Sequence, residues 1–250
     1  MAQWFVGTSG WTYASWRGTF YPKDLPSRRF LEFYAREFAT TEVNYSFYHL
    51  PKVQTCTSWA GQVSEEFLFA VKTSRLITHV KRLLDVEEAW HAFVQSVLAL
   101  GSRLGPLLLQ FPPSFNQDRR RLATFLDMVR GASSANPPLK LAFEFRHESW
   151  FTEEIYRLLK RHHAALCCAD SPRYPRRDVS TTDFMYFRFH GRSQLFASRY
   201  TEAELRNEAR NMTRYLRDGL DVYAYFNNDA EGHAVANART LRTLLDRQDG

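Results

Sequence analysis

Eight short runs rich in β-branched and aromatic residues recur along the chain, at residues 4–8, 41–45, 67–72, 106–111, 139–146, 164–170, 184–190 and 221–227. Most are near-continuously apolar, as strands of a parallel sheet covered on both faces must be. Segments of helical spacing separate them. Phe30, Tyr34 and Phe38 follow a cap candidate at Ser27, Leu122, Phe125, Leu126 and Val129 follow Asp118, and Ile155, Leu158 and Leu159 follow Thr152. Thr201 and Glu204 have the spacing of a capping box, with a stop near Gly219, and Val235, Ala238, Leu241 and Leu245 share one face of the last helix. Strand and helix alternate over the whole chain without a Gly/Ser/Pro linker. About eight βα units in 250 residues predict an α/β fold of one domain over 1–250, a closed (β/α)8 TIM barrel. An open doubly wound sheet is the alternative, but it lacks a G-x-G-x-x-G turn after the first run.

Composition narrows the function classes. Hydrophobic residues at 44% with 24% charged describe a globular protein with ample core, and most of the 15% aromatic residues are expected to fill it. The start MAQWFVGTSGW has neither the basic lead nor the long apolar stretch of a signal peptide, and no run approaches the ~20 residues of a membrane span. The expectation is therefore a cytoplasmic protein with no membrane partner. Cys56, Cys167 and Cys168 have no C-x-x-C spacing, so neither a disulfide framework nor a zinc site is expected. Cys167 and Cys168, adjacent in one strand, should point to opposite faces. A formal charge of +6 and a pI near 9.3 fit an anionic partner, either a small molecule or nucleic acid. Oligomeric state is not legible.

A TIM barrel carries its active site at the C-terminal ends of its strands, so the ends of the runs matter most. They supply Ser9 and Trp11, then Glu42 and Asn44 followed by Tyr48 and His49, then Lys72, Gln110, Glu144 with Arg146, Asp170, Arg188 with His190, and Asn227 with Asn228. Glu144 and Arg146 have the same parity and so share a strand face. A charge near the end of a buried strand is costly unless it is paired or meets a polar ligand. Polar loops would be expected of any barrel, but charges still within the strand rhythm point to a site.

The same ends form a recognisable set. GTSGW at 7–11, EVNYSFY at 42–48, FAVK at 69–72, LLQFPP at 108–113, EFRHESW at 144–150, YFRFHG at 186–191 and YFNND at 225–229 resemble the YecE-like family, domain of unknown function number seventy-two. The resemblance spans nearly the whole chain in order. It implies a TIM barrel with these motifs at one mouth, and it implies no established activity.

Lys72, Arg146 and Arg188 fit carboxylate or phosphate recognition, while Asn44, Gln110, Asn227, Asn228, Tyr48, Trp11 and Trp150 complete the candidate substrate-binding set. The bland alternative is that the arginines only neutralise Glu42 and Glu144. Glu144 and His190 are the leading candidates for proton transfer, with Glu42 and Asp170 as further catalytic candidates. GTSGW is not a nucleophile elbow and no triad accompanies Ser9. A divalent metal on Glu42, Glu144, Asp170, His190 and His49 ranks below phosphate binding, because lysine and arginine crowd the same ends; no cofactor is expected. Arg173, Arg176 and Arg177, in the loop after the sixth run, form a basic rim suited to a nucleic-acid backbone. The expected function is an enzyme acting on a phosphorylated or nucleotide-like substrate, a hydrolase or lyase; the alternative is a non-catalytic nucleic-acid-binding barrel.

Overall fold

The computed structural model describes residues 2–132, 138–229 and 232–247. Eight parallel strands form one sheet, β1 (Trp4–Thr8), β2 (Thr40–Val43), β3 (Leu68–Lys72), β4 (Leu104–Gln110), β5 (Leu141–Glu144), β6 (Ala164–Asp170), β7 (Phe184–Phe189) and β8 (Asp221–Phe226). Their order, β1-β8-β7-β6-β5-β4-β3-β2, brings the first two strands to the ends of the ladder. The sheet curls into a TIM barrel surrounded by helices. These include α1 (Phe30–Tyr34), α2 (Tyr45–Tyr48), α3 (Val53–Ala60), α4 (Glu87–Val97), α5 (Arg119–Ala132), α6 (Glu153–Arg161), α7 (Glu202–Arg217) and α8 (His233–Asp246). No described helix is long and apolar enough to cross a membrane.

Side chains close the seam between β1 and β2, where no strand ladder forms. The Thr8 N–H donates to the Tyr34 hydroxyl at 2.9 Å, and that hydroxyl donates to the Thr40 carbonyl at 3.0 Å. One phenol from α1 thus satisfies two buried backbone groups that a ladder would have paired. The Thr41 hydroxyl adds a bond to the Thr8 carbonyl at 3.0 Å. Gly7 permits this approach, because a Cβ there would lie 2.2 Å from the Thr40 carbonyl oxygen.

Strand parity separates two cores. Ala70, Leu108, Ala142, Ala165, Cys167, Tyr186 and Tyr225 fill the barrel, whereas Val71, Leu109, Phe143, Cys168 and Phe187 pack outward against the helices. Cys167 and Cys168 do face opposite sides. Thr152 and Thr201 cap α6 and α7, the latter in a full capping box with Glu204. Ser27 makes no side-chain cap; it opens a short 3-10 turn before α1. The second run ends early because Asn44 turns into α2, and the fifth ends at Glu144.

The regular alternation breaks once. Residues 171–183, between β6 and β7, contain no helix. Pro172 and Pro175 each remove a backbone donor and clash with a preceding helical turn. Tertiary bonds fix the segment instead. The Thr181 hydroxyl bridges the Ala164 carbonyl and the Leu166 N–H, and Tyr215 from α7 donates to the Asp178 carbonyl.

Candidate functional site

One pleat period above the apolar filling, the inward positions turn polar. Glu42 follows Thr40, Lys72 follows Ala70, Gln110 follows Leu108, Glu144 follows Ala142, and Arg188 follows Tyr186. Arg188 organises this layer. Its Nε and Nη2 donate to the two oxygens of Glu42 at 3.0 and 2.7 Å, and its Nη1 donates to Glu144 Oε2 at 2.5 Å. Tyr186 and Ser9 donate to Glu42 at 2.7 and 2.8 Å, and Arg146 Nε donates to Glu144 Oε1 at 2.7 Å. Both glutamates are 0% exposed and Arg188 1%. Burial alone would raise both carboxyl pKa values, but Arg188 with its hydrogen bonds for Glu42, and Arg146 with Arg188 for Glu144, hold them below the usual range. Both carboxylates stay ionised and fully occupied.

Above this layer opens a cavity of about 500 Å³, lined by Tyr13, Asn44, Phe47, Tyr48, Lys72, Arg75, His79, Gln110, Arg146, Arg188, Phe196 and Asn227. Four of these residues are cationic and none is a carboxylate. The Lys72 ammonium lies 3.9 Å from the centre of the Phe47 ring and has neither an ion pair nor a hydrogen bond among the described residues. Burial, and then Arg188, push its pKa down to about 7, with Arg146 adding to the effect. Arg146 stacks on Tyr174 at 4.4 Å, and apart from its Nε bond it has no hydrogen-bond partner among the described residues. His79 is neutral near pH 7; burial and then Lys72 lower it to about 4.

Glu42, Lys72, Gln110, Glu144, Arg146, Arg188 and Asn227 thus meet at one mouth, with Asn44 and Tyr48 at its edge. His190 also lies there, but as a sealed brace. It is 0% exposed, with Phe196 edge-on at 5.4 Å, Nδ1 3.1 Å from the Asn227 amide and Nε2 3.5 Å from Glu144. Burial takes its pKa down to about 4 despite Glu144. It is therefore placed to position Glu144, not to meet a ligand. Glu42 and Glu144 likewise lie beneath the cavity rather than in its lining.

Three expected site residues lie elsewhere. Asp170 has outward parity, because Ala165, Cys167 and Ala169 take the inward positions of β6. It accepts from Tyr200 at 2.7 Å and pairs with Arg176 and Arg192 at 3.3 and 3.4 Å. Asn228 also points outward, bonding the Ser198 carbonyl and Asn237 at 2.9 and 3.0 Å. Trp150 is wholly buried, stacked on Phe145 at 4.3 Å with its indole N–H on the Phe115 carbonyl at 2.6 Å. Trp11 is buried as well, yet it lines a neighbouring cavity of about 430 Å³ with Tyr45 and Trp59, which Tyr13 and Asn44 share with the mouth. Asn44 Oδ1 is buried there without a hydrogen-bond partner.

The basic rim is mostly engaged. Arg176 is bidentate to Asp178 and Glu208, all four bonds between 2.7 and 2.8 Å, and also reaches Asp170. Arg177 pairs with Glu148 and lies 5.5 Å over Phe151. Only Arg173 extends without an ion pair among the described residues. No three His, Cys, Asp or Glu side chains among those residues stand in a metal-ligating array. The oxygens of Glu42 and Glu144 are taken by arginines, and His49 is exposed beside Tyr45.

Sequence reasoning missed Arg75, His79 and Phe196, which reach the mouth from the segments that follow β3 and β7. The first two flank or belong to a π-helical turn, Leu76–Val80, a form often found at functional sites. It also missed Phe47, although EVNYSFY contains it, and Tyr186, which inward parity identifies.

The profile of a family described as "Protein of unknown function DUF72" matches residues 5–250. A DUF72 family protein from Thermotoga maritima superposes with a TM-score of 0.86 at 32% identity, covering 98% of this chain and 99% of that one. One from Enterococcus faecalis gives 0.82 at 21% identity, covering 98% and 96%, a likeness of fold. The UPF0759 protein YecE of Escherichia coli is 27% identical over 150 residues, 60% of this chain. The chain spans about half the length of the curated relatives it matches, 50% in that case.

Proposed function

Given that the chain belongs to the DUF72 family, whose description carries no activity, we propose that it is an enzyme acting on a phosphorylated or nucleotide-like anionic substrate held at the C-terminal mouth of the barrel. One observation carries this reading: the cavity of about 500 Å³ is lined by Lys72, Arg75, Arg146 and Arg188 and by no carboxylate. Glu42 and Glu144 neutralise two of the four cations from below, so an excess of positive charge faces the opening. In a partly desolvated site such charge favours an anion strongly.

Arg188 has its charge engaged by the glutamates, so Lys72, Arg75 and the outer nitrogens of Arg146 are the ligand donors. The adjoining aromatic cavity, with Trp11, Trp59 and the unpartnered Asn44 Oδ1, suits a ring of the same ligand, a sugar or a base. Proton transfer passes from the expected Glu144 and His190, both sealed, to Lys72, whose pKa of about 7 lets it give or take a proton at neutral pH. The nucleic-acid alternative is weakened because Arg176 and Arg177 are already paired.

Crystals soaked in tungstate test this reading. Anomalous density against Lys72 and Arg146 is the expected result. Tungstate bound only elsewhere on the surface at saturating concentration would overturn it.

A further inference from the structure

We propose that Lys72 is a covalent nucleophile, whose amine forms an imine with the carbonyl carbon of an aldehyde or ketone substrate that also carries a phosphate or carboxylate. The proposal deepens the anionic-substrate reading and rests on it for the anionic arm alone.

The geometry is that of an amine kept free. Lys72 ends β3 at the base of the cavity, partly buried, with its ammonium 3.9 Å from the centre of the Phe47 ring and without an ion pair or hydrogen bond among the described residues. A structural lysine so placed would be expected to take a carboxylate, and two are near. Glu42 on β2 and Glu144 on β5 are instead consumed by Arg188 on β7 and by Arg146. From the segment after β3 come Arg75 and the neutral His79. Lys72 is thus partly buried against an aromatic face and among arginines, with the nearby carboxylates already paired, the setting in which a lysine gives up its proton near neutrality and becomes nucleophilic. The depressed pKa, about 7, agrees.

The step balances without an oxidant or a metal. The amine lone pair attacks the carbonyl carbon, the C=O π pair moves to oxygen, the nitrogen passes a proton to that oxygen to give a carbinolamine, and a proton from solvent converts its hydroxyl into a leaving group. The nitrogen lone pair then expels that oxygen as water, leaving a protonated imine. Arg75 and Arg146 hold the anionic arm meanwhile, and the cationic imine then accepts the electron pair of an adjacent C–H bond, whose proton passes to solvent, or of an adjacent C–C bond, whose far carbon leaves as a carbonyl, the chemistry of a lyase.

Reductive trapping tests it. The protein is incubated with glycolaldehyde phosphate or with neutral glycolaldehyde plus cyanoborohydride, and adducts are mapped by peptide mass spectrometry. The expected result is a reduced adduct on Lys72, formed at least about tenfold faster from the phosphate than from the neutral aldehyde. Its rate should rise through about pH 7, well below the range in which an ordinary solvent-exposed amine loses its proton. Lys72→Gln should lose the adduct. Should that variant misfold, excess inorganic phosphate should still protect Lys72 in the wild type. Adducts confined to exposed lysines, with none on Lys72, would overturn the proposal. If sulfate binds through Lys72 while no adduct is trapped, the imine falls and the anion site stands. Equal labelling of Lys72 by both aldehydes would support the nucleophile and remove the anionic arm.

Discussion

Replacing Arg188 with Met is the most informative single perturbation of the polar layer. The arginine gives Glu42 two charged hydrogen bonds and gives Glu144 Oε2 its donor at 2.5 Å. Without it Glu144 keeps Arg146, but Glu42 keeps only the hydroxyls of Tyr186 and Ser9. A fully buried carboxylate is then left without a counter-ion, and breaking a buried pair from one side costs about 3–5 kcal/mol. For a chain of this length that corresponds to a fall in Tm of about 6–20 °C. The pH dependence has a definite sign. Both wild-type carboxyls titrate below their ordinary values, so their contribution is present above the unfolded pKa and lost as pH falls through the folded one. In the variant, burial unopposed by Arg188 should raise Glu42 above its unfolded value, stabilising the fold in acid and destabilising it as pH rises. The gap between the two proteins should therefore narrow towards about pH 4. Adding Glu42→Gln should recover most of the loss, because the charge is gone. Urea denaturation monitored by tryptophan fluorescence measures each quantity. A loss under about 1 kcal/mol, independent of pH and unrelieved by Glu42→Gln, would refute the role of Arg188 as counter-ion.

Three further outcomes follow from neighbouring features. Lys72→Met should stabilise the protein at about pH 6, with a ceiling near 5 kcal/mol from the displacement of its pKa to about 7, and the gain should shrink as pH rises from there towards the unfolded lysine value; thermal melts at several pH values would show this. Tyr34→Phe should cost about 2–4 kcal/mol in urea unfolding, since it strands the Thr8 N–H and the Thr40 carbonyl at the barrel seam. Arg176→Ala should lower Tm by several degrees, because Asp178 and Glu208 lose their shared counter-ion; a variant with unchanged Tm but abolished oligonucleotide binding would restore the nucleic-acid reading.

The barrel was legible because eight apolar runs and their intervening helical patterns encode it directly, and the helix missing after β6 was foreshadowed by Pro172 and Pro175. The site was legible where parity was respected. Glu42, Glu144 and Arg188 continue the inward rows of their strands, and they meet. Asp170 and Asn228 were misplaced because each is the polar end of a run but stands on the outward row, next to the inward Ala169 and Asn227. Trp150 follows its strand in a turn, and the ring stacks on Phe145 as core. What sequence could not reveal is the allocation of charge. Which cation spends itself on Glu42 and Glu144, and which is left facing the cavity, depends on ångström-scale geometry. Arg188 was expected to meet a ligand and is the internal counter-ion, while Lys72 is left unpaired. Residues beyond the strand ends, such as Arg75 and Phe196, have no strand rhythm to mark them.

Sulfate binding by the wild type and by Lys72→Met, measured calorimetrically at about pH 6 and about pH 8, tests the anion-binding mouth most directly. Sulfate keeps its charge across this range, so any pH dependence reports the protein. Binding should weaken as pH rises through about 7, where Lys72 loses its proton, and Lys72→Met should bind more weakly at the lower pH by about 1.5–3 kcal/mol. Lys72→Arg should bind with little dependence on pH. Absence of binding at the lower pH, or binding that is the same in Lys72→Met as in the wild type at both values, would contradict it.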